Sequence, residues 1–138
     1  MAYRDIPQES PLLVAAFNGG VFALGRDDGK VAWSFELRGA RVTRAVVQGD
    51  RIFVLGSELA CLDYTTGRLL WRVAVPSAIT GGTLLADGDR VFVADSGEAA
   101  AFETQQGLML WHEPFTGHGR GVVALAVRDA SAQGDRSG

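Results

Sequence analysis

The chain has few of the residues that most often mark a function. Its one cysteine, Cys61, cannot form an intramolecular disulfide, which fits a reducing compartment and would also fit a mature exported form without its signal. His112, His118 and Cys61 are the only soft metal ligands, and no pair of them has zinc-site spacing. Lysine occurs once, at Lys30, and 13 basic against 16 acidic side chains leave a formal charge of −3. No basic excess points to nucleic acid. The most apolar windows, Leu12 to Phe17 and Val122 to Val127, are far shorter than the roughly 18–20 residues of a membrane-spanning helix. Met1 to Pro7 carries acid and proline where a secretory leader would have a basic start and an apolar stretch of about 7–15 residues. The expectation is a cytoplasmic protein with no nucleic-acid or membrane partner.

Catalytic and ligand-binding signatures are equally scarce. There is no Gly-x-Ser-x-Gly elbow, and Glu36, Glu58 and Glu98 have no neighbour in sequence that marks an acid and base pair. Asp27-Asp28 and Asp87-Gly88-Asp89 lack the alternating oxygens and terminal glutamate of a calcium loop, so they read as hairpin turns. Gly117 to Gly121 is glycine-rich, but a strand follows it where a phosphate cradle needs a helix N-terminus. No enzyme activity, metal or cofactor is expected.

What is present is a repeat. Eighteen glycines against four prolines, with short apolar runs between them, indicate tight turns and short strands, hence an all-β chain. The segments Ala23 to Trp33, Cys61 to Trp71 and Ala101 to Trp111 align, with Gly29, Gly67 and Gly107 each four residues before a tryptophan. The tryptophans stand 38 and 40 residues apart, and they are all the tryptophans in the chain. Matched apolar runs upstream make each unit four strands, the signature of a β-propeller blade. The glycine supplies the positive backbone dihedral of a tight turn, and the acid or hydroxyl before it, Asp63 and Thr66 in the second unit, can accept turn amide hydrogens.

These segments resemble the PQQ-like (quinoprotein-type) propeller repeat, Ala-Leu-Asp-x-x-Thr-Gly-x-x-x-Trp. Cys61 to Trp71 matches all of it but the first alanine. The first unit has Gly25 and Asp28, and the third Glu103 and Gln106, where the family has aspartate and threonine. The resemblance implies that Trp33, Trp71 and Trp111 dock against neighbouring blades as structural glue. It also implies an alternative function, binding of the quinone PQQ or another small ligand as in quinoprotein dehydrogenases. Kinship with the propeller lipoproteins of outer-membrane protein assembly is disfavoured on the missing leader and lipidated cysteine.

The expected layout is an N-terminal arm over 1–11, repeats near 12–36, 43–74 and 82–113, a closing strand at 121–127, and a disordered tail over 129–138. The first unit lacks an innermost strand and the last strand has no blade of its own. Three blades do not make a ring of the usual four to eight; two copies make six. A homodimer with C-terminal strand exchange is therefore expected. One face of such a ring gathers Arg38, Arg41 and Arg44 from the first inter-blade connection, His118 and Arg120 from the last, and Asn18, Ser57, Glu58, Asp95 and Glu98 from the hairpins. Arginines on loops held by rigid sheets suit carboxylates, so the expected function is a non-enzymatic scaffold for an unidentified protein or peptide. A solvated rim without a partner is the plainer alternative.

Overall fold

The computed structural model describes residues 10–39, 41–42, 44–128 and 130–134. Strands β1 (Leu12–Phe17), β2 (Gly20–Gly25) and β3 (Val31–Glu36) form a three-stranded antiparallel sheet. Two four-stranded antiparallel sheets follow: β4 (Arg44–Gln48), β5 (Arg51–Leu55), β6 (Glu58–Asp63) and β7 (Leu69–Ala74), then β8 (Thr83–Asp87), β9 (Arg90–Asp95), β10 (Glu98–Glu103) and β11 (Met109–Glu113). Strand order equals chain order in each, so every sheet is a meander, as in a propeller blade. The first hairpin shows why the chain turns where it does. Asn18 (φ 51°) and Gly19 (φ 81°) both take positive dihedrals, the pairing that matches the twist of adjoining strands.

The core lies between the blades. Along β5, Ile52 and Val54 pack toward the first blade with Val21, Leu37 and Val42, while Phe53 and Leu55 pack toward the third with Leu84, Val93 and Phe102. A strand covered on both faces needs no polar alternation, and Ile52, Phe53, Val54 and Leu55 are all fully buried. The outer strand of the third blade has no such cover, and β11 is exposed along its whole length. Among the described residues no helix is long and apolar enough to cross a membrane.

The C-terminal end differs from expectation. The strand expected at 121–127 is confined to β12 (Leu125–Val127), because only these residues find a strand partner. Before it, Gly121 accepts the Gly97 amide at 2.9 Å and the Val123 carbonyl accepts the Thr83 hydroxyl at 2.6 Å. The partner of β12 is β13 (Ala130–Ala132), within the segment expected to be a disordered tail. An unpaired edge recruits whatever backbone can reach it, and small residues pair as well as large ones. The tail residues 129 and 135–138, and residues 1–9 of the arm, lie outside the described residues. Arg44 is the first residue of β4 rather than part of the preceding connection.

Candidate interaction face

The repeat motif builds each turn the same way. In the second blade Asp63 accepts the amides of Thr65 and Thr66, both at 2.9 Å, and the Thr66 hydroxyl, while the Gly67 amide bonds the Asp63 carbonyl at 2.8 Å. The Thr66 amide is the main reason the Asp63 carboxyl sits below the ordinary aspartate range. In the third blade Glu103 replaces the aspartate. Partial burial pushes its carboxyl up, but the amides of Gln106, Leu108, Gln105 and Gly107 together outweigh this and hold it low. The first turn lacks that carboxylate at Gly25, yet keeps the frame, with Gly29 N donating to Gly25 O at 2.9 Å and Asp28 accepting the Lys30 amide.

Two of the three tryptophans then serve the following blade, while Trp111, expected to dock in the same way, is 46% exposed and meets no following turn among the described residues. Trp33 lies on the Gly67 turn and donates its indole N–H to the Tyr64 carbonyl at 3.0 Å; Trp71 lies on the Gly107 turn and donates to the Thr104 carbonyl at 3.0 Å. A Cβ at Gly67 or Gly107 would stand 2.3 or 2.5 Å from the indole, so glycine is required by contact as well as by dihedral. Arg51 adds a second tie between blades, from its guanidinium to the Thr104 carbonyl at 2.8 Å. Tyr64 does the same for the first blade, its hydroxyl exchanging hydrogen bonds with both backbone groups of Leu12.

The three inter-blade connections and the three hairpins between second and third strands share one face. Leu37 N donates to Gly19 O at 2.8 Å, Gly81 N to Gly56 O at 2.7 Å, and Gly97 N to Gly121 O at 2.9 Å. The first connection is anchored at several points. Leu37 and Val42 are buried, Ser57 Oγ donates to the Gly39 carbonyl at 2.9 Å, and Arg72 donates to the Arg38 carbonyl at 2.9 Å. Between these anchors Asn18, Arg38 and Arg41, together with Glu36, line a cavity of about 710 Å³. Arg38 and Arg41 are exposed.

The remaining face residues are dispersed or engaged. His118 and Arg120 are exposed on the last connection, where the Arg120 backbone abuts Gly97, two blades from the cavity. Asp95 is half-buried beside Gly82. Glu58 is bound by Arg72 Nε at 2.6 Å, and Glu98 faces His112 Nε2 at 2.6 Å. These two acids therefore tie neighbouring strands together and do not stand open on the face. The two pairs occupy the same register positions in successive blades. In sequence each acid precedes its partner by 14 residues, a regularity through which Arg72 could have been found beforehand. Among the described residues no group of three His, Cys, Asp or Glu side chains could hold a metal ion. Cys61 is buried, and desolvation pushes its thiol up to about 11.

A family model described as outer membrane protein assembly factor BamB matches residues 9–136. The kinship disfavoured above on the missing leader is thus found in the repeats themselves, to which a leader is irrelevant. Among solved structures the chain is similar to BamB from Moraxella catarrhalis, with TM-score 0.62 and 24% identity over 75% of this chain and 33% of that one. It is similar to quinohemoprotein alcohol dehydrogenase ADHIIG from Pseudomonas putida, with TM-score 0.62 and 20% identity over 75% and 19%. The computationally designed Ika8 protein gives TM-score 0.72 at 16% identity over 93% and 41%. The chain thus spans less than half the length of each of these. No curated protein matches it. At such identities the likeness shows the fold alone.

Proposed function

The chain belongs to this BamB-type family of PQQ-like β-propeller repeats, and from that premise we propose that it is a non-enzymatic interaction scaffold. Its partner is a protein or peptide that presents carboxylates to the arginine-bearing face. The observation that carries this is the cavity at the first connection, where Arg38 and Arg41 stand on backbone clamped by Ser57, Arg72 and two buried side chains. A guanidinium fork bonds two carboxylate oxygens at once, and a rigid base spares the ordering cost of holding it there. A single cysteine, which needs no oxidising compartment, supports the cytoplasm as its place of work.

Completion of the ring belongs to the same reading. Strand β12 packs beside β8, in the place of an innermost strand of a following blade, and no described strand pairs with the free edge of β1. Two copies, each lending β12 to the other's first blade, give six blades. In that exchange β13 gives way to the partner's β1. The quinone alternative has less support, because among the described residues no three acids, histidines or cysteines are grouped to hold a metal beside the cofactor.

Anisotropy of a fluorescein-labelled oligo-glutamate peptide tests the face. Wild type binds it, more weakly as salt rises; a triple variant, Arg38→Glu with Arg41→Glu and Arg120→Glu, loses at least about tenfold in affinity while mass and melting temperature hold. Equal binding by the two proteins, or none by wild type, overturns the proposal.

A further inference from the structure

The rule by which each blade gives its tryptophan to the next leaves one tryptophan and one turn unmatched. Trp33 covers Gly67 and Trp71 covers Gly107, each with its N–H on the carbonyl three residues before that glycine. Trp111 has no such seat and is 46% exposed. At Gly29 (φ +71°), no described residue lies within 4 Å of where a Cβ would stand. Leu110 repeats the pattern. Its counterpart Leu70 packs into the core between the second and third blades, whereas Leu110 is 43% exposed.

The polar tie between blades is unmatched in the same way. Arg51 opens β5 and reaches the next blade's turn, bonding the Thr104 carbonyl and Gln105 Oε1 at 3.3 Å. Arg90 opens β9 at the same phase of the repeat and pairs with adjacent, exposed Asp89 at 2.9 Å. In the first turn, Asp27 stands two residues before its glycine, as Gln105 does in the third; like Arg90 it pairs only with its sequence neighbour among the described residues, Arg26 at 2.7 Å, and it is 85% exposed and open to a second cation. A neutral partner for Arg51 is thus replaced by an acidic one for Arg90.

We propose that Trp111 and Arg90 are docking residues for a second copy of this chain. Trp111 lies on the partner's Gly29 turn and donates its indole N–H to the partner's Arg26 carbonyl, and Arg90 pairs with the partner's Asp27. The twofold axis makes both seams of the ring identical, so every substitution acts twice. The inference rests on the two-copy reading above, and it names the surface that reading leaves unspecified.

Sedimentation equilibrium on complementary charge variants tests it. Arg90→Asp puts acid against acid at both seams of its own dimer, and Asp27→Arg puts base against base, so each variant alone dimerises at least about tenfold more weakly than wild type. An equimolar mixture of the two restores the dimer, because each seam then joins opposite charges. Trp111→Ala weakens dimerisation while circular dichroism and melting of the single chain hold. If wild type is a dimer but none of these variants changes it, the seam is wrong and the two-copy reading stands. If wild type is a monomer, both fall, and the open seat at Gly29 belongs to a blade of another chain.

Discussion

Replacing Gly67 by alanine measures the contact on which the propeller depends. Gly67 has φ +77°, and a left-handed dihedral costs an L-residue roughly 1–2 kcal/mol whatever its surroundings. The added Cβ would stand 2.3 Å from the Trp33 ring, well inside the contact distance of about 3.5 Å, so the indole must move by about 1 Å. That movement breaks its N–H bond to the Tyr64 carbonyl, a net loss of about 1 kcal/mol. Uncovering some 50 Å² of ring adds about 1 kcal/mol. The sum is about 3–4 kcal/mol. Gly88→Ala is the control, since Gly88 has φ +60° with no described residue within 4 Å of its Cβ position, and it should lose about 1–2 kcal/mol. Urea denaturation should separate the two by about 2 kcal/mol, and calorimetry by roughly 6–8 °C in Tm. In a Trp33→Ala background the cost of Gly67→Ala should fall to that of the control. Equal losses for Gly67→Ala and Gly88→Ala in the wild-type background would refute the docking argument.

Two further outcomes follow from the buried thiol and the C-terminal hairpin. Cys61, with its thiol raised to about 11 by burial, should react with a disulfide reagent at pH 8 at least about 100-fold more slowly in the folded protein than in urea. The sign follows from burial of the neutral form: its stabilisation is complete below the unfolded thiol's pKa and is lost as pH rises through about 11. Deleting residues 130–138 removes β13 and frees the edge of β12, so dimerisation should tighten. Deleting 121–138 also removes β12 and the partners of Gly97 N and the Thr83 hydroxyl, so that chain should aggregate or stay monomeric. Like behaviour of the two truncations, read by light scattering, would exclude strand exchange.

Much of the fold was legible because three tryptophans and three glycines keep one phase, and a repeated phase forces repeated structure. Local dihedral and contact requirements act at Gly67 and Gly107 regardless of the rest of the chain, so sequence carries them directly. The β12–β13 hairpin was not legible. Ala130, Ser131 and Ala132 have no apolar periodicity, and their pairing depends on which edge is free. On the candidate face, the gathering of Asn18, Arg38 and Arg41 followed from topology, since connections and hairpins emerge together. The engagement of Glu58 by Arg72 and Glu98 by His112 depends on the β6–β7 and β10–β11 registers, each shifted at a bulge after Cys61 or Ala101. Composition says nothing about which acid a cross-strand partner consumes.

The central proposal is that the three described blades form half of a ring and that a second copy supplies the rest. Light scattering after size exclusion tests it most directly. At micromolar concentration the account predicts a single species of about twice the 14.7 kDa chain mass. A monodisperse species at the mass of one chain would contradict it.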